Sequence, residues 1–198
     1  GAAFARLRVG PAAMDLDLGP LIRQSQQQRV WDFLSDAQVA GIPMVAQGRV
    51  VSEAPEAGFY QAPTLLRDVP VMHRLAQEEI FGPVLSILTF RTVDEAIEKA
   101  NHTAYGLSAG VWTDKGSRIL KMSTELKAGV VWANTYNKFD PASPFGGFVL
   151  VTSTPSIQRR LRPRARKTTR CWPGGSVTSA ASRVSTGPFQ LARIPQSS

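Results

Sequence analysis

The chain has 198 residues, 43% of them apolar, and its 23 Lys/Arg against 15 Asp/Glu give a net charge of +8. That length and apolar share suffice for one substantial core, and a single cysteine, Cys171, excludes an internal disulfide framework. Residues 1–148 carry 14 basic and 15 acidic side chains whereas 149–198 carry 9 basic and none acidic, so the basicity belongs to the tail and does not describe a basic domain.

No apolar run approaches the length of a membrane helix, and the N-terminus lacks the basic, apolar and small-residue regions of a signal peptide. With one cysteine and a reducing compartment in keeping, the expectation is a soluble cytoplasmic protein without a membrane span. The chain starts at Gly1 and not at Met, which leads us to expect a processed chain or a fragment.

Residues 1–18 are poorly patterned. From Gly19-Pro20, a Gln-rich segment carrying Leu21, Ile22, Val30, Trp31, Phe33, Leu34 and Val39 on one apolar side predicts a helix from Pro20 to about Ala40, closed by Gly41. Ile42 to Val51 reads as a short strand with a turn at Gln47-Gly48. Phe59-Tyr60 and Thr64 to Leu66 read as extended, and Asp68-Val69-Pro70 leads into a short helix from Met72 to Glu78.

That helix delivers Glu78-Glu79-Ile80-Phe81-Gly82-Pro83, because Gly82 breaks it and Pro83 disfavours helical geometry before it. Composition alone favours solvated helix-end charges and a core phenylalanine here. The alternative is a loop that orients a ligand bearing paired hydroxyls and a flat ring. Val84 to Phe90 follows as a continuous apolar run, predicting a buried strand. Thr92 with Glu95 three residues on is a capping-box signature for a helix ending near Asn101. Leu107 to Trp112 reads as a strand, and Asp114 to Leu126 as a helix burying Ile119, Leu120, Met122 and Leu126. Gly129 closes that helix, and Val130 to Ala133 reads as a third strand.

Strand, helix, strand, helix, strand with short connections predicts an α/β fold built on a parallel βαβ layer. Ligands in such layers gather beyond the carboxyl ends of the strands, which makes Thr135 to Asp140 and Pro144 to Gly147 candidate site walls, with loop packing the competing reading. Residues 148–198, rich in Arg, Ser, Thr and Pro, read as a disordered tail. The cluster Arg159 to Lys167 lacks aromatic interleaving and reads as solvated, in preference to a nucleic-acid or lipid contact. No glycine-rich phosphate loop and no metal-ligand spacing is present, and His73 and His102 read as surface or capping residues.

Five blocks together resemble the aldehyde dehydrogenase superfamily: Gly58-Phe59-Tyr60 with Pro63-Thr64; Glu78 to Val84; Ala100-Asn101 with Tyr105-Gly106-Leu107; Gly129 to Trp132 with Asn134; and Pro144 to Gly147. They lie in the family's order and spacing over roughly residues 8–147. Within the family, Asn134 to Gly147 looks most like the atypical two-unit aldehyde dehydrogenase family sixteen. The resemblance implies that residues 1–147 are part of a catalytic domain that uses NAD or NADP, with an aldehyde substrate and subunits that form homo- or hetero-oligomers. It implies that Glu79 accepts hydrogen bonds from the nicotinamide ribose hydroxyls and that Phe81 lies beside the nicotinamide. Phe139 and Phe145 would line the aldehyde tunnel and nicotinamide pocket.

In the family, a cysteine thiolate attacks the aldehyde, hydride passes to the cofactor, and a glutamate activates the hydrolytic water. The nucleophile, that glutamate and the cofactor domain lie upstream of the matched blocks, so this chain is expected to supply no catalytic residue and to be inactive alone. After Gly147 the family pattern stops at Phe148-Val149-Leu150, which suggests a truncated or alternatively spliced end. A non-catalytic interaction protein that pairs with dehydrogenase subunits or another partner is the alternative reading.

Overall fold

The computed structural model describes residues 1–147 and the backbone of two further strands, 168–171 and 191–193. Two compact units follow one another along the chain, the first ending at Thr89 and the second beginning at Phe90.

In the first unit, α1 (Ala2–Ala5) precedes β1 (Arg8–Val9), and α2 (Gln24–Val39) is the principal helix. Helix α2 starts four residues later than the predicted Pro20. The preceding segment spends its backbone groups elsewhere: Leu18 N donates to Arg8 O at 3.1 Å, Gly10 N to Leu18 O at 3.1 Å, and Leu21 N to Phe59 O at 2.8 Å. A chain paired in this way cannot also close helical turns. The buried residues of α2 are Val30, Phe33 and Ala37, a spacing that follows one face, with Leu21 and Leu34 packed at its edge. Ile22, Trp31 and Val39, predicted for the same side, fall off that face and are exposed.

The expected single strand after Gly41 is two: β2 (Met44–Gln47) and β3 (Arg49–Val50), which join different sheets at Gly48. Strand β3 lies parallel to β1. Strand β4 (Thr64–Leu66) pairs antiparallel with β2; after α3 (Arg74–Gln77), β5 (Val84–Ser86) pairs parallel with β4. The run expected as a buried strand from Val84 to Phe90 is thus three residues long, and it is half-buried because one short sheet covers it incompletely. It belongs with β4 and does not share a sheet with the strands that follow. The core of this unit gathers Val30, Phe33, Leu66, Val69, Leu75 and Ile80.

The second unit holds α4 (Val93–Asn101), β6 (Ser108–Trp112), α5 (Gly116–Glu125) and β7 (Val130–Ala133), with β6 and β7 parallel, which is the expected βαβ arrangement. Thr92 caps α4, its Oγ1 accepting from Glu95 N at 3.1 Å, while the Glu95 carboxylate accepts from Arg91 N at 2.7 Å, one residue earlier than a strict capping box. In α5, Met122 and Leu126 are buried as predicted, but Leu120 is exposed. Strands β8 (Thr168–Cys171) and β9 (Leu191–Arg193) pair parallel with β7 and β6 respectively. The rest of 148–198, with the Arg159 to Lys167 cluster, lies outside the described residues. No helix among the described residues is long and apolar enough to cross a membrane.

Candidate functional site

The loop leaving α3 puts its two carboxylates in different settings. Glu78 is the C-terminal cap residue of α3 and meets Arg74 at 3.4 Å and Arg29 at 3.8 Å, all three at least a third exposed, so it is a helix-end charge. Glu79 is half-buried, and burial raises its carboxyl above its ordinary value while the nearby Arg29 charge pulls the other way. Ile80 turns inward to the core. Phe81 turns outward, half exposed, with φ at +58°, a left-handed conformation that a bulky side chain rarely adopts. The expectation of a core phenylalanine does not hold at this position.

What holds this loop is the face of α2 formed by Gln26, Arg29 and Val30, positions three and four apart that lie together on a helix. Gln26 Nε2 donates to Ile80 O at 2.9 Å and to Phe81 O at 2.8 Å. Arg29 Nη2 donates to Glu79 O at 2.7 Å. A Cβ at Gly82 would lie 2.3 Å from Val30 Cγ2, so only glycine lets the loop approach the helix here. Arg29 and Arg74 also lie over the Phe33 ring, 5.0 and 4.0 Å from its centroid, which fixes the Arg29 side chain that reaches Glu79 O. The next glutamine, Gln27, serves another segment and donates to Tyr60 O at 2.7 Å.

In the second unit, Asn134 ends β7 in a left-handed conformation with φ at +52°. Its side-chain amide clasps the end of β6, accepting from Thr113 N and donating to Thr113 O, each at 2.9 Å. The following loop returns over Trp132, which is buried and donates from Nε1 to Lys138 O at 3.1 Å. The Trp132 ring meets Tyr136 edge-on at 5.0 Å and Phe139 at 5.6 Å, and Phe139 meets Phe145 at 5.0 Å. Phe139 and Phe145 remain half exposed. Val130, Trp132, Phe139, Pro144 and Phe145 line a shallow open hollow. Gly129 is packed so closely beneath Gly146 that an added Cβ would lie 1.6 Å from the Gly146 carbonyl oxygen.

The sequence reading named Glu79, Phe81, Phe139 and Phe145. The structure brings Phe139 and Phe145 into ring contact and sets Glu79 and Phe81 on one tethered loop. It also adds Gln26 and Arg29, whose only sequence signal was the glutamine run opening α2, and gives Trp132 the part of a buried post. His73 is the N-cap of α3, its Nδ1 accepting from Leu75 N at 3.2 Å.

A family model described as "Aldehyde dehydrogenase family" matches residues 1–150. The chain belongs to the aldehyde dehydrogenase family. It is 44% identical over 134 residues to DhaS of Bacillus subtilis, which carries an aldehyde dehydrogenase name, covering 68% of this chain and 26% of that protein. Among solved structures, it superposes on a Burkholderia cenocepacia protein crystallised as an aldehyde dehydrogenase with TM-score 0.73 and 59% identity, over 75% of this chain and 31% of the other. It also superposes on betaine aldehyde dehydrogenase of Staphylococcus aureus, solved in complex with NAD+, with TM-score 0.70 and 26% identity over 75% of this chain and 30% of that one. The chain therefore spans about a quarter of the length of the curated relatives it matches.

Proposed function

We propose that this chain supplies part of the binding walls of an enzyme that oxidises aldehydes to carboxylic acids with NAD or NADP. The observation that carries this reading is the Glu79–Phe81 loop. A half-buried carboxylate and an outward-facing aromatic ring are held two residues apart, one suited to accept from two vicinal hydroxyls and the other to face a flat ring. These groups fit a nicotinamide riboside: Glu79 would hold the ribose hydroxyls and Phe81 would lie against the nicotinamide. When bound, such a cofactor supplies a hydride acceptor. The raised carboxyl of Glu79 favours binding only once it is ionised, because the protonated acid loses acceptor capacity. Phe139, edge-on to Trp132, and Phe145, edge-on to Phe139, would form an apolar wall for the aldehyde and exclude water from it. Support for the cofactor assignment comes from the similar Staphylococcus aureus and Bacillus cereus aldehyde dehydrogenases, both solved with NAD+.

The 198 residues on their own are expected to bind and not to turn over. Their single cysteine, Cys171, lies beyond the 1–150 family match. The test is an assay of the purified chain with NAD, NADP and a panel of aldehydes, following reduced cofactor by absorbance. No turnover is expected; turnover that Glu79→Gln abolishes would contradict the assignment of a binding role alone.

A further inference from the structure

The glutamine run at the start of α2 has an explicit use in the fold. Two consecutive carbonyls, Ile80 O and Phe81 O, converge on the one side-chain amide of Gln26 at 2.9 and 2.8 Å. Consecutive carbonyls of an extended segment point in opposite directions, and they turn toward one donor only where the backbone reverses locally. Here the reversal is the left-handed Phe81, with φ at +58°. A phenylalanine in that region pays a steric penalty that a neighbouring contact must offset. Gln26 can supply two donors from one NH2 group, one to each carbonyl.

Three further contacts along the same helix face make the tether specific. Arg29 holds the carbonyl of Glu79 at 2.7 Å. Val30 fills the space beside Gly82, where no Cβ fits. Phe33 carries the Arg29 guanidinium over its ring, 5.0 Å from the centroid. Residues 79 to 82 are thus read one after another by Arg29, Gln26 and Val30. The outward direction of the Phe81 ring depends on the backbone turn that Gln26 closes.

We propose that Gln26 is a positioning residue of the cofactor wall: its carboxamide fixes the Ile80–Phe81 turn and so sets the Phe81 ring and the Glu79 carboxylate for a nicotinamide riboside. It acts through the backbone of the loop, with Arg29 as its companion on Glu79 O. This inference rests on the binding role proposed for Glu79 and Phe81.

The test uses the full 198-residue chain labelled with 15N and 13C, titrated with nicotinamide riboside, a probe with the ring and both ribose hydroxyls but no phosphate to titrate. Gln26→Met preserves length and removes the donors. The expected result is that the Ile80 and Phe81 carbonyl carbon resonances move upfield and the riboside binds about fivefold more weakly, the effect of one or two lost neutral hydrogen bonds. The thermal midpoint should fall by only a few degrees, about what the same loss implies for a domain of this size. Glu79→Gln should weaken binding with the two carbonyl resonances in place. If Gln26→Met leaves both carbonyl resonances where they were, the tether is wrong. If they shift but riboside binds as before, while Glu79→Gln still weakens it, the positioning role is overturned and the binding role of Glu79 stands. If Glu79→Gln binds as the parent does, the cofactor-wall reading itself fails.

Discussion

The two candidate walls are held in place by different physics. The Glu78 to Gly82 loop of the first unit is tied through its backbone: side chains of α2 donate to three successive carbonyls, while Ile80 points into the core and the Phe81 ring is left to face outward. The Tyr136 to Phe145 loop of the second unit is held mainly through its side chains, ring edge against ring face, over the buried Trp132. A tether to backbone carbonyls fixes a turn regardless of which side chain stands at each position. A stack of rings fixes the rings themselves and leaves the intervening backbone to follow. One loop therefore suits a precise polar contact beside a flat ring, and the other suits an apolar surface that tolerates substrates of varied shape.

The sharpest way to break this comparison is to remove the post. Trp132→Ala should destabilise the second unit by about 3–5 kcal/mol and disperse the Phe139 and Phe145 ring signals, because a buried indole, its hydrogen bond to Lys138 O and two ring contacts go together. Urea denaturation and aromatic chemical shifts report both effects. Unchanged Phe139 and Phe145 shifts would show that the rings do not depend on Trp132.

Glycine substitutions probe the two loops in parallel. Gly129→Ala forces a methyl into the Gly146 carbonyl, and Gly82→Ala forces one into Val30. Each should cost about 1–3 kcal/mol through local overpacking. Gly129→Ala is expected to cost more, since its obstacle is backbone at 1.6 Å and not a side-chain methyl at 2.3 Å. Equal losses in urea would blunt the distinction between the two packing modes.

The smallest effect has an informative sign. Phe81→Gly relieves the left-handed strain, worth about 1–2 kcal/mol, and incurs a glycine entropy cost of about 0.5–1 kcal/mol. Stability should stay level or rise by up to about 1.5 kcal/mol while riboside affinity falls. A loss of more than about 1 kcal/mol would mean that the Phe81 ring contributes to packing and is not held outward for a ligand.

Much of this was legible beforehand where a rule is local. Thr92 and Glu95 marked the start of α4, Val130 to Ala133 marked β7 to the residue, and the Pro-Phe-Gly-Gly turn and the Glu79 block marked the family. What remained hidden was set by partners distant in sequence. Nothing in Gly19 to Arg23 shows that Leu18 and Leu21 pair with Arg8 and Phe59 and so delay α2. The apolar run from Val84 gave no sign that its pairing would go to β4 and stop after three residues. Gln26 looked like one of several polar helix residues. Its meaning comes from carbonyls 54 and 55 positions away, which no periodicity reveals. The same distance explains Phe81: an aromatic beside Gly-Pro reads as core until its backbone is seen in the left-handed region.

The central claim is that Glu79 is a cofactor-facing acceptor, and it makes a signed prediction about pH. Burial raises the Glu79 carboxyl above its ordinary value. Its contribution to folding is therefore full below the unfolded-state value and is lost as pH rises through the raised one. Binding runs the other way, since only the ionised carboxylate offers all its acceptor sites. The most direct measurement is the affinity of the full chain for nicotinamide riboside across acidic to neutral pH, alongside Glu79→Gln. The account predicts affinity that climbs as pH rises through the raised Glu79 value, with a flat, weaker profile for Glu79→Gln. A profile that is flat for the parent chain, or the same in both proteins, would contradict it.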